Sequence, residues 1–304
     1  MLEPVDSDHY RFVHSELLQH LRSGIEPETE LRWQSRIVAF LQRTDNASDF
    51  LLATHAMGAE DRGESLRDVL VRAGTRASAL EAPRQALRWL ARAASHREAT
   101  KTIEPELSLL IGEVCIQAGE VAQSIASLEA VLEANCAPAI RLRAFDALVE
   151  SALSGLQDPE RAVAFARTAL ADVHESDARA VRVARLNLLE NASVAACLCG
   201  ADAADLWEPI EALAAEIATG ELRAEAAGRA TLLGAFTAYA KGERGRARKL
   251  LEAAQADPVL SGFAALEIRT HVIAALLDED PLTHTSPRLE EASAFAMGRL
   301  WLCE

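Results

Sequence analysis

A chain of 304 residues, half of them apolar and a quarter charged, is long enough to bury one or two hydrophobic cores. Its formal charge of −15 repels phosphate backbones and anionic lipid, which disfavours general binding to nucleic acid or a membrane surface. No apolar run approaches the roughly 20 residues of a membrane span, and the opening MLEPVDSDHYR lacks a basic and then apolar signal layout, so the expected location is cytoplasmic.

Glycine (15) and proline (10) are sparse, aromatics make up 5%, and the helix formers alanine, leucine, glutamate and arginine dominate. Runs of β-branched residues in period-two alternation are missing, so the expectation is an all-α chain without strands. The stretch YRFVHSELLQHL, Tyr10 to Leu21, reads as a short apolar helix carrying an aromatic pair and a lone histidine. Next comes EPETELRWQSRIVAFLQRT, with proline in its first turn and apolar residues at Leu31, Ile37, Val38 and Leu41. Helices are then predicted in DRGESLRDVLVRAGTRASAL, APRQALRWLARAAS, PELSLLIGEVCIQAG, EVAQSIASLEAVLEAN, APAIRLRAFDALVESAL and DPERAVAFARTALADV. Further along they fall in DARAVRVARLNLLENASVAACLCG, LWEPIEALAAEIATG, ELRAEAAGRATLLGAFTAYAKG and ERGRARKLLEAAQADP, and last in LSGFAALEIRTHVIAALL and PRLEEASAFAMGRLWL. Breaks fall at Gly, Asn, Asp or Pro, and the connections are a few residues long, so neighbours should pair as antiparallel hairpins.

These hairpins repeat. Ala86, Ser124 and Ala162 are small residues 38 apart, each early in the second helix of a pair, and seven residues later stand Ala93, Val131 and Ala169. Gly74 and Gly112 fall twelve before the first two. Gly242, Ala247 and Ala254 reproduce the spacing of Gly119, Ser124 and Val131. Small residues at fixed helical positions allow close approach, and one hairpin cannot bury its apolar face alone, so stacking follows. The pattern resembles the tetratricopeptide repeat over about residues 60 to 280. It is best in LSLLIGEVCIQAGEVAQSIASLEAVLEANCAP, where Ile111, Gly112, Gly119, Leu128 and Pro138 fall at or near that family's signature places. The unit ending near Ala169 carries extra residues in its turn. The fold class expected is therefore a tetratricopeptide-like helical-hairpin superhelix, an α-solenoid, over residues 25–304.

Phe12 and His14, then LRWQSRIVAFL, then LLATHAMGAED with His55, then LVRAGTRASALEAPRQALRWLARAAS follow one another in the chain. That order resembles a junction in signal-transducing ATPases of the STAND class, closest in the LuxR-type transcriptional regulators. There, a winged-helix subdomain ends in an aromatic–x–His helix and a superhelical repeat domain follows. The resemblance implies that residues 1–24 are the end of a winged-helix-like subdomain. It also implies that a histidine placed like His14 touches nucleotide phosphates, although Ser15 stands where the related ATPases commonly have Asp. No G-x-x-x-x-G-K-[ST] loop exists in the sequence, so ATP or ADP is implied only for a missing ATPase module and no cofactor for this chain. A helix-turn-helix is also missing, and the apolar ending with Trp301 and Leu302 suggests truncation or docking.

Catalytic patterns are lacking. No two of the eight histidines are three or four residues apart, so the helical zinc pair is absent. Glu16 and His20 share a predicted helix face as a polar pair, and no G-x-S-x-G elbow occurs. Cys115, Cys136, Cys197, Cys199 and Cys303 are odd in number and irregular in spacing, which argues against a disulfide framework and for buried small residues. In CLCG the two thiols lie roughly 200° apart around a helix. Two basic features stand out: Arg179, Arg182 and Arg185 along one helix stripe, and KGERGRARK with Arg244, Arg246 and Arg248. They read either as contacts for an acidic ligand or partner helix, or as salt bridges to neighbouring repeats. The function expected is a non-catalytic sensor arm of a STAND-type regulator, binding a protein or small inducer on its concave face, with no direct nucleic-acid or membrane contact. The rival is a free-standing scaffold unrelated to an ATPase.

Overall fold

A computed structural model describes residues 2–4, 10–12, 24–44, 47–59, 64–95, 104–172, 179–199, 205–208, 212, 223–256, 273–274 and 277. Among these residues there are two short strands, eleven α-helices and one π-helix. The described residues are helical, as expected, apart from one short ladder at the start. Strand β1 (Leu2–Pro4) pairs antiparallel with β2 (Tyr10–Phe12), Leu2 opposite Phe12 and Pro4 opposite Tyr10. Tyr10–Phe12 is thus extended, not the first turn of a helix. The aromatics favour a pleated strand, and three residues are too few for a periodicity test to register. His14 and the remainder of the predicted opening helix lie outside the described residues, as do Cys303, Trp301 and Leu302.

The helices are α1 (Pro27–Leu41), α2 (Asp49–Ala56), α3 (Glu64–Ala79), α4 (Pro83–Ser95), α5 (Pro105–Ala118) and α6 (Val121–Glu133). They continue with α7 (Pro138–Glu150), the π-helix Ser151–Gly155, α8 (Pro159–Asp172), α9 (Arg179–Cys199), α10 (Arg223–Ala240) and α11 (Arg244–Gln255). Pro27, Pro105 and Pro138 each open a helix, where the missing N–H is no loss and the fixed φ is already helical. No helix is long and apolar enough to cross a membrane, among the described residues.

The chain divides into two compact units, residues 1–77 with 88–102, and residues 78–87 with 103–304. In the first, α1 packs on α2 and buries only Val38. His55 Nδ1 lies 2.7 Å from the Gln34 side-chain oxygen, joining the two helices. The Arg72 guanidinium donates to both oxygens of Asp49, at 3.1 and 3.0 Å, a two-pronged geometry that fixes direction as well as distance. Phe50 stacks on the buried Trp89 with ring centroids 5.4 Å apart, and Arg76 lies over the Phe50 ring. Arg92 donates to the Ala59 carbonyl at 2.9 Å, pinning the loop after α2 to α4.

The second unit is a succession of hairpins. Helices α5, α7, α9 and α10 touch one another in order, while α6 lies against α5 and α7, α8 against α7 and α9, and α11 against α10. Every positive-φ residue among those described, Glu81, Gly119, Gln157 and Gly242, sits at a hairpin turn. Each is five residues before a fully buried small residue, respectively Ala86, Ser124, Ala162 and Ala247. Seven residues further on, Ala93, Val131, Ala169 and Ala254 are likewise at 0% exposure. The small-residue spacing read from the sequence therefore marks one turn geometry and one buried edge. Gly119 and Gly242 close their helices with the same pair of bonds. Glu120 N–H reaches the Cys115 carbonyl (2.8 Å) and Gly119 N–H that of Ile116 (3.0 Å); Glu243 and Gly242 do the same to Ala238 (2.8 Å) and Tyr239 (2.9 Å). This is the left-handed cap that satisfies a helix's last carbonyls before the chain reverses.

Close approach inside the hairpins has identifiable causes. A Cβ at Gly112 would lie 2.7 Å from Leu128, so glycine lets α6 settle onto α5. Ser124 takes the place alanine holds elsewhere, and its hydroxyl donates to the Gly112 carbonyl (3.0 Å) while lying 3.2 Å from Ser151 Oγ. The hairpin after α7 differs from the others. Its last turn widens into the π-helix, with Leu156 N–H bonded to Ser151 and Asp158 N–H to Ala152, which absorbs additional residues before Gln157 turns the chain.

Candidate functional site

Within the second unit, three polar side-chain pairs bridge successive helices. Ser78, in the last turn of α3, donates to the Gln117 side-chain oxygen of α5 at 2.7 Å. Arg143 of α7 donates to both oxygens of Glu113 of α5, at 2.7 and 3.0 Å. Asn191 of α9 donates to Asp146 of α7 at 2.6 Å. Glu113 and Gln117 are one turn apart, as are Arg143 and Asp146, so each helix offers both its groups from one face. Asn187 stands one turn before Asn191 and extends the set. The Glu113–Arg143 and Asp146–Asn191 pairs make a polar strip across α5, α7 and α9, which touch in succession.

The strip mixes charge, hydrogen-bond donors and acceptors at graded depth. Asn191 is 3% exposed, whereas the side chains of Glu113 and Arg143 are 29% and 52% exposed. Burial pushes the Glu113 carboxyl above its ordinary value, and the Arg143 guanidinium opposes that shift without cancelling it. Carboxamides, two carboxylates and a guanidinium at this spacing can recognise the amides and charged ends of an extended polypeptide or a polar small molecule.

Nucleophilic chemistry finds little support in the thiols. Burial raises Cys115 to about 11 and Cys197 to about 12, so both stay protonated at neutral pH. Cys115 is fully buried and Cys136, Cys197 and Cys199 partly so, all unbridged. Among the described residues no group of three His, Cys, Asp or Glu side chains lies together as a metal site would require.

The basic residues singled out from the sequence sit elsewhere. Arg182 and Arg185 are partly buried on α9, and both have partners within the chain. At 100° per residue Arg182 lies roughly 180° around the helix from Asn191, on the side away from the strip. Arg179 begins α9, but its side chain is outside the described residues. Arg244, Arg246 and Arg248 are exposed on α11, whose buried edge is Ala247, Leu251 and Ala254. Arg246 is tied to Glu243 at 2.9 Å, and Arg244 and Arg248 are also engaged. The structure thus leaves the two basic groups on separate helices. The strip itself had a sequence signal: polar pairs three or four residues apart inside otherwise apolar helices. Reading it required knowing which helices are neighbours. Comparison with family models, with curated proteins and with solved structures gives no match for this chain.

Proposed function

We propose that this chain is a non-catalytic recognition arm built of tetratricopeptide-like hairpins, working as the sensor part of a LuxR-like STAND regulator. The observation that carries the repeat reading is the recurrence of one left-handed turn five residues before a buried small side chain at four places. Repeated hairpins in one register stack into a continuous surface, and extended surfaces of that kind serve recognition. The strip of Glu113, Gln117, Arg143, Asp146 and Asn187, with the buried Asn191 bonded to Asp146, is the face assigned to a protein partner or small inducer. The antiparallel ladder of β1 and β2 is compatible with the wing of a winged-helix subdomain, which supports the regulator reading. Binding on the strip would shift a nucleotide switch only through its differential affinity for the two states.

A second reading is a free-standing scaffold using the same face. Sequencing the native transcript upstream of the Met1 codon separates the two. A reading frame continuous with this one and encoding G-x-x-x-x-G-K-[ST] is the expected result. An in-frame stop codon shortly before Met1 would contradict the regulator and leave the scaffold.

A further inference from the structure

Helix α1 turns one side to the rest of its unit and leaves another bare. Gln34 meets His55 of α2, Val38 is the residue it buries, and Gln42 donates to Ser65 Oγ of α3 at 3.5 Å. These three follow one another at intervals of four and hold one side of the helix. At 100° per residue Trp33, Ile37 and Phe40 fall within about 60° of arc, with Trp33 about 140° round from Val38. Trp33 is 51% exposed and Phe40 67%, and Ile37 is exposed between them. Single exposed apolar residues are ordinary on a protein surface. Three of them at i, i+4 and i+7 on one helix are the anchor pattern by which helices dock.

One edge of this seam carries charge of a single sign. Arg36 and Arg43, seven residues apart, are both exposed and lie along it. The guanidinium of neither has a partner among the described residues. Arg32, further round the same side, reaches the Glu28 carbonyl (3.4 Å) and the Thr29 hydroxyl (3.3 Å), and no carboxylate among the described residues. Elsewhere arginines are held by acids: Arg72 by Asp49, Arg141 by Asp172 and Arg167 by Asp205. Acidic residues outnumber basic ones 46 to 31, so guanidinia without carboxylates run against the composition of the chain. They give the bare side of α1 a locally positive edge, complementary to a row of carboxylates.

We infer that α1 docks an amphipathic helix of a partner protein, with the partner's apolar face on Trp33, Ile37 and Phe40 and its carboxylates along the edge of Arg36 and Arg43. Flanking charges decide which helix pairs with which. A second copy of this chain does not meet the requirement. Antiparallel docking would set one arginine edge against the other, and parallel docking would set it against Gln34 and Leu41, neither of them charged. A membrane surface fits less well than a helix. Three side chains in so narrow an arc make a seam and not a broad apolar face, and the charge of −15 opposes anionic lipid. The inference stands apart from the regulator reading, since it uses neither the polar strip nor a nucleotide module.

The test titrates the whole chain into two labelled synthetic peptides of three heptads, followed by fluorescence anisotropy. Both carry leucine along the seam; one is flanked by glutamate and the other by lysine. The glutamate peptide should bind about tenfold more tightly, although the net charge of the chain alone would favour the lysine peptide. In the double variant Arg36→Glu with Arg43→Glu the order should reverse, and Trp33→Ala with Phe40→Ala should abolish binding of the glutamate peptide. Equal affinity, no binding, or a glutamate preference that survives the charge reversal would overturn the inference. So would self-association of the chain, or binding to phosphatidylserine vesicles, that Trp33→Ala with Phe40→Ala removes, since either gives the face to another occupant. Should a variant fail to fold, amide shifts induced by the glutamate peptide on the unaltered chain decide. Shifts centred on Trp33, Ile37 and Phe40 uphold the site, and shifts centred elsewhere overturn it.

Discussion

Gly119 and Gly242 hold the same backbone conformation, with φ of 77° and 76°, each followed by a glutamate and then by a helix whose fifth residue from the glycine is fully buried. Neither glycine has an atom within 4 Å of where a Cβ would stand. Their role is therefore conformational and not steric. Gly119→Ala and Gly242→Ala should each cost about 1–2 kcal/mol in chemical denaturation, the penalty for an L-residue in the left-handed region. Gly112→Ala tests the other mechanism. There the new methyl meets the fully buried Leu128, and a loss of about 1–3 kcal/mol from overpacking is expected.

The same turn is made without glycine at Glu81 (φ 58°) and Gln157 (φ 54°). The Gln157 side chain is exposed, so its removal costs no buried contact. Gln157→Gly should raise the stability of the fold by up to about 1 kcal/mol, since relief of left-handed strain outweighs the added freedom of the unfolded chain. Destabilisation in urea melts would show that the turn is not strained.

Ser124 is the polar member of an otherwise apolar set of buried positions, and its hydroxyl is satisfied by the Gly112 carbonyl. Ser124→Ala should cost about 1 kcal/mol, because Ser151 Oγ is left buried without its neighbour. The double variant Ser124→Ala with Ser151→Ala should recover part of that loss, a coupling that a double-mutant cycle measures directly.

Glu113 predicts a pH dependence. Its folded pKa is raised above 4.5, chiefly by burial, so protonation favours the folded state. Its ionised form weakens the fold above the raised pKa, and that cost is lifted as pH falls through the raised pKa toward 4.5. Relative to Glu113→Gln, the wild-type chain should gain stability on acidification across this window. A stability difference that stays flat, or that turns against the wild type on acidification, would show that the Arg143 pair outweighs burial.

Much of the fold was legible in the sequence because proline and glycine mark helix ends and small residues mark helix contacts. Pro27, Pro105 and Pro138 start helices, and the small helix residues assigned to the repeat, Ala86, Ala93, Ser124, Val131, Ala162, Ala169, Ala247 and Ala254, are buried. The β1–β2 ladder was not legible, because a three-residue pair leaves no periodic trace. Nor were the left-handed turns at Glu81 and Gln157, since nothing in a glutamate or glutamine announces positive φ; the neighbouring helices impose it. The π-helix is a tertiary outcome of the same kind. For the candidate site, charge density drew attention to Arg182 and to Arg244, Arg246 and Arg248. The strip depends instead on one ion pair and an amide–carboxylate pair that meet only when α5, α7 and α9 lie side by side.

The central claim is that four turns share one register, and backbone geometry at four residues tests it most directly. Measured by nuclear magnetic resonance, Glu81, Gly119, Gln157 and Gly242 should all show positive φ, with the amides of Ala86, Ser124, Ala162 and Ala247 strongly protected from hydrogen exchange. Negative φ at Glu81 and Gln157, with fast exchange at Ala86 and Ala162, would reduce the repeat to a coincidence of two glycines.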